Sequence, residues 1–160
     1  KVDEKIKPST KKEPKQTESF PSLPTPQKAF EKPEDSKGIA WSKFGWTGHD
    51  IVRVITGGEE SSNEFLVEGI VINMDAFVLK NFISKNRINS EKNIKLITDN
   101  YFVSIYLHSL FLFSILQKMR KDEESLSEVD IEDFISKMIK PYANFLLYEN
   151  YHINKMMFDE

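Results

Sequence analysis

The chain has 160 residues, a formal net charge of −3 and no cysteine. That length fits one domain. The missing Cys excludes disulfide scaffolds, zinc-thiolate sites and thiol catalysis, and the slightly acidic balance argues against nucleic-acid binding by the whole chain.

Residues 1–38 read as a flexible Lys/Pro-rich tail. They hold nine Lys against seven Asp/Glu, and six of the seven prolines fall here. Such a composition buries too little apolar surface to offset its ordering entropy. The stretch Ser19 to Pro26 favours extended or polyproline-II geometry. Its lysines give a net charge of only +2, a weak basis for binding phosphate, anionic lipid or nucleic acid.

Residues 39–160 read as a single small globular domain. It opens on IAWSKFGWTGH, where Trp41, Phe44 and Trp46 are large apolar groups. They either cover one edge of the core or anchor a partner. Together with Phe20 and Phe30 of the tail, they are the partner-binding candidates.

Asp50 to Thr56 and Glu64 to Asn73 are rich in β-branched residues and flank a Gly57-Gly58 loop, which predicts a β-hairpin over 50–73. A capping box at Ser61 and Glu64 competes with it by starting a helix there. From Ile70 to Lys140 the chain has neither Gly nor Pro, so helices joined by polar turns are expected. The first runs over Met74 to Lys85, with Asp75 as N-cap and Met74 and Leu79 as a hydrophobic staple.

Asn100 to Gln117 is an 18-residue run without a formal charge, and 12 of its residues are aliphatic or aromatic. On a helix, Asn100, Ser104, His108 and Ser114 gather on one polar strip and the rest of the circumference is apolar. The expectation is a central helix covered on most sides. A membrane span competes, because the run reaches the lower end of spanning length and Lys118, Arg120 and Lys121 flank it. Its polar residues count against that reading. A pair of strands, Ile94–Thr98 and Tyr101–Leu107, is the third alternative.

Seven acids and no base lie between Asp122 and Asp133. They suit a loop and a helix N-terminus, with a capping box at Ser125 and Glu128 and a further cap at Asp130. A helix over Ile131 to Ile139 follows. Pro141 either kinks it or opens the next one, and the aromatic C-terminal segment closes over the core. The expected core comprises Leu66, Ile70, Ile72, Phe77, Phe82, Phe102, Ile105, Leu112, Ile115, Leu116, Phe134, Met138, Phe145 and Leu146.

No chemistry-bearing motif stands out. His49, His108 and His152 have no metal-ligand spacing, no phosphate-binding glycine loop occurs, and the acidic run lacks the ligand pattern of an EF-hand. His108 with Ser104 on the polar strip is the one candidate buried polar site. No catalytic residue, metal or cofactor is expected, and no small-molecule substrate is indicated.

The fold class expected is therefore α+β and mainly helical: a β-hairpin, then three to four helices around the apolar one. The expected function is a non-catalytic accessory or structural subunit. It docks on a larger assembly through its tail and aromatic segment, so a protein partner is expected. The alternatives are a membrane-associated or lipid-anchored protein and a nucleic-acid-binding accessory factor using the tail. The absence of Asn-X-Ser/Thr tilts the location toward the cell interior. The start at Lys1 rather than Met suggests a processed N-terminus, with room upstream for a signal or lipid anchor.

Overall fold

A computed structural model describes residues 23–34, 38–57, 66–122 and 130–158. Phe20 and the capping boxes at Ser61 and Ser125 lie outside them.

The fold is α+β and mainly helical. Val52–Gly57 (β3) and Leu66–Asn73 (β4) form the expected antiparallel hairpin, from Val52 opposite Ile72 to Gly57 opposite Leu66. A register shift between Ile55 and Thr56 bulges it. The bulge has a use: the Thr56 N–H and hydroxyl both donate to Glu132 Oε1, at 2.8 and 2.9 Å. This docks the first turn of the last helix onto the sheet.

Two strands were not foreseen. Pro26–Phe30 (β1) pairs in parallel with β4, and Ile39–Ala40 (β2) pairs in parallel with β1, giving the order β2-β1-β4-β3. The domain therefore begins before residue 39, since β1 is an interior strand drawn from the segment read as tail. Pro26 is tolerated because it occupies the first position of its strand, opposite Ile70, where a missing N–H costs least. Gly38 brings the chain back into β2 at φ 115°, with Lys28 O and the Phe30 ring 2.7 Å from where a Cβ would sit. Only glycine fits that approach.

Three helices complete the described fold: Phe77–Lys85 (α1), Glu91–Asp122 (α2) and Ile131–Phe158 (α3). Asp75 does not cap α1. Its carboxylate accepts from Glu31 N–H at 2.9 Å and pairs with Lys80 at 3.0 Å, and helix bonding starts at the Ala76 carbonyl. Asp130 does cap α3, accepting from Asp133 N–H at 3.0 Å. The strand alternative for 94–107 falls, because α2 is helical throughout. Helix α3 runs on through Pro141 as one element.

Both faces of the sheet are covered. Val52, Val54, Ile70 and Ile72 meet Ile97, Tyr101 and Ile105 of α2 and Ile135, Ile139 and Leu146 of α3. On the other face, Ala29 and Val71 pack with Trp41, and with Ile39, Phe44, Trp46 and Ile55 partly buried. Strand β4 is thus buried on both faces, which explains its near-continuous apolar sequence.

The helix faces differ from expectation. Ile70, Ile72, Phe82, Ile105, Leu116 and Leu146 are buried as expected, while Phe102 and Leu112 pack at the core's margin. Leu66, Phe77, Ile115, Phe134, Met138 and Phe145 are exposed. Helix α3 buries Ile131, Ile135, Ile139, Ala143 and Leu146, a stripe offset from the one marked by its largest side chains. Helix α2 buries Ile97, Tyr101, Ile105, Ser109 and Leu116, so its cover is one-sided.

Tyr101 supplies a titratable reporter of this core. Its hydroxyl donates to the Asn73 carbonyl at 3.2 Å, and burial pushes the phenol pKa well above its ordinary value. The folded state holds the proton where the unfolded chain, ionising near pH 10, releases it. The stabilisation is complete below about pH 10 and is lost as pH rises, at up to about 1.4 kcal/mol per pH unit. Urea unfolding between pH 10 and 12 should show the wild type losing stability more steeply than Tyr101→Phe. Parallel losses would contradict the burial of this phenol.

Candidate interaction surface

The partner-binding candidates divide by environment. Trp41 is buried, and its indole N–H donates to Asn73 Oδ1 at 3.0 Å. Phe44 and Trp46 are half-buried beside each other, with ring centroids 5.1 Å apart, and Arg53 lies 5.6 Å over the Phe44 ring. Phe30 packs against the helix-side core. The aromatic segment thus lies on the sheet, with Phe44 and Trp46 partly open to solvent.

Asn73 is the junction that sets this segment down. It is fully buried at the end of β4. Its Oδ1 also accepts from Asp75 N–H at 2.9 Å, and its Nδ2 donates to the carbonyls of Asp50 and Thr47 at 2.7 and 3.3 Å. Hairpin and aromatic segment converge on this side-chain amide, and α2 joins them through Tyr101, whose hydroxyl donates to the Asn73 backbone carbonyl. Asn73 escaped the sequence reading because an Asn at a strand end reads as an ordinary turn residue.

Ser104 and His108 lie at the seam between α2 and α3. The Ser104 hydroxyl accepts from Asn150 Nδ2 at 2.7 Å. His108 Nδ1 lies 2.8 Å from the Ser104 backbone carbonyl. A carbonyl only accepts, so in the neutral ring this nitrogen carries the proton and Nε2 is an acceptor. The histidine is therefore bonded to backbone, not to a hydroxyl or a carboxylate. Ser104 and His108 face α3 while Ser114, the last member of the strip, is exposed, and the paired positions 104 with 150 and 108 with 142 show that the helices run antiparallel.

Outside this seam the two helices present an apolar surface. Val103, Leu107, Phe111, Ile115 and Met119 recur every four residues on α2, and Phe134, Met138, Tyr142 and Phe145 at three and four on α3. Leu107, Phe111 and Phe145 are 53%, 62% and 52% exposed. Between the helices lies a cleft of about 360 Å³ lined by His108, Phe111, Leu112, Met138, Pro141 and Tyr142. Tyr142 stacks on Phe145 at 5.2 Å on its rim. His108 is the one ionisable imidazole in an otherwise apolar or aromatic lining.

Helix α2 is long and apolar enough over Glu91–Arg120 to cross a membrane, by length and composition, and 22% of its apolar window is buried. Among the described residues no group of three His, Asp or Glu is placed to hold a metal ion. A larger groove of about 760 Å³ borders the α1–α2 turn, lined by residues that include Asn86, Arg87, Asn93 and Asn154. The chain matches no known protein-family model, no curated protein and no solved structure.

Proposed function

We propose that this protein is a non-catalytic interaction module, and that the outer face of α2 and α3 is its principal docking surface. One observation carries the reading: two antiparallel helices, each already packed on the sheet, keep a second apolar stripe turned to solvent. The stripes meet at the cleft that Phe111 and Leu112 share with Met138 and Tyr142, and large apolar groups left bare in this way mark an interaction site. The cleft beside Phe111 supplies the concavity in which an aromatic anchor is held. The N-terminal tail and the half-buried Phe44 and Trp46 form a second point of attachment.

A photoreactive amino acid placed singly at Phe111, Phe145 or Leu66 tests this in the cells that make the protein. Leu66 is exposed but lies at the far end of the hairpin. Adducts from positions 111 and 145, and none from 66, are expected. No adduct from 111 or 145, or equal yields from all three, would sink the proposal.

The second reading, a lipid surface as the docking partner, rests on the hydropathy of Glu91–Arg120. A spanning α2 would have to break its bonds from Tyr101 to Asn73 and from Tyr106 to the Pro24 carbonyl, the latter at 2.7 Å. Peripheral contact would keep both. Flotation with vesicles separates these readings from docking to protein.

A further inference from the structure

We infer that the occupant of the α2–α3 outer face is a second copy of this chain, so that two helix pairs close into a four-helix layer between two sheets. The inference rests on the docking reading above and names what docks.

Three observations support it. The first is area. Nine large side chains on this face are between 37% and 62% exposed. At about 150–250 Å² for a large side chain, they offer roughly 600–1,100 Å² of apolar surface. That matches the ~800 Å² per partner of a standard stable interface and exceeds the few hundred Å² a monomer ordinarily leaves bare.

The second is charge. From Asn100 to Gln117 on α2, and from Pro141 to Tyr148 on α3, there is no Asp, Glu, Lys or Arg. The centre of the face holds nothing that calls for a partner of opposite charge. Nothing there repels an identical copy either, and like-charge juxtaposition is what ordinarily forbids self-pairing.

The third is shape. The same face carries a cleft and side chains that project beside it. Phe111 lines the cleft and is the most exposed of the nine. In an isologous two-fold contact each copy offers both the projection and the recess. Antiparallel helix hairpins packed in this way bury their stripes at the shallow crossing angle of a four-helix bundle.

Sedimentation of the full chain tests the inference. The expected mass is twice the 18.6 kDa of one chain. Phe111→Lys and Phe145→Glu should each weaken self-association by about 30-fold or more, the loss typical of a central aromatic anchor. Because both side chains are more than half exposed, the far-UV circular dichroism of both variants should match the wild type. Leu66→Glu, off this face, should leave the dimer intact.

A monomeric wild type at micromolar concentration overturns the second-copy inference. Dimers that survive both face substitutions overturn it too. A monomer that floats with phosphatidylcholine–phosphatidylserine vesicles assigns the face to lipid instead. A monomer whose position 111 also gives no adduct in cells removes the docking reading along with it.

Discussion

Asn73→Asp is expected to destabilise the fold by about 3–5 kcal/mol at neutral pH, the range for an uncompensated buried charge. The substitution hardly changes shape, so the effect is chemical. The acceptor facing Trp41 and Asp75 survives. The Nδ2 group that donates to Asp50 and Thr47 becomes an oxygen aimed at two carbonyl oxygens. Full burial then favours the neutral acid, which can donate a single O–H to Asp50.

The folded-state pKa of the new carboxyl is therefore raised above its unfolded value near 3.9. By linkage, the penalty is smallest below about pH 4 and grows as pH rises. Chemical denaturation at pH 4 and pH 7 should show the variant recovering part of its lost stability at the lower pH, relative to wild type. A loss of under 1 kcal/mol, or a loss independent of pH, would contradict the place given to Asn73. With typical domain stabilities of about 5–15 kcal/mol, the expected loss is a large part of the whole.

Pro141→Ala is expected to act in the opposite direction. Pro141 sits within α3, where it cannot donate to the Lys137 carbonyl and its ring crowds that turn, at a cost of about 3 kcal/mol. Proline also restricts the unfolded chain, which offsets about 0.4–1 kcal/mol of that. A net gain of roughly 2 kcal/mol follows, or about 4–8 °C in Tm for a chain of this size. Thermal unfolding of Pro141→Ala measures it, and an unchanged or lower Tm would show that α3 accommodates the ring without strain. The residue borders the interhelical cleft. A costly proline at that position is expected of a site whose shape matters more than its stability.

Much of the architecture was legible in the chain. The β-branched runs around Gly57-Gly58 gave the hairpin, the long stretch without Gly or Pro gave the helices, and Asp130 announced the start of α3. Strand β1 was hidden for a physical reason. Its partners are parallel and distant, with Lys28 opposite Ile72, and nothing local in PTPQKAF records such pairing. Composition alone placed it in the tail.

The helix faces failed differently. The largest side chains of α3, Phe134, Met138 and Phe145, were assigned to the core because apolar bulk normally marks the buried stripe. The buried stripe is instead built from smaller residues, Ile135, Ile139 and Ala143, which let α3 approach the sheet. A helix apolar on two faces gives no periodicity that distinguishes the inner face from the outer one. The same ambiguity made Asn100–Gln117 read as a helix covered on most sides. His108 and Ser104 lie four residues apart and so share one side of α2, where both are part-buried. Their environment, a seam facing α3, needed the tertiary structure.

Peroxide footprinting of the methionines tests the claim that this second face is covered in the working protein. Met138 and Met119 lie on the face and are 46% and 41% exposed in a single chain, whereas Met156, at 78%, lies toward the far end of α3. In the purified full chain, oxidation of Met138 should slow as protein concentration rises while that of Met156 stays constant. In Phe111→Lys the Met138 rate should lose its concentration dependence. A Met138 rate that is the same at every concentration in both proteins would contradict the account.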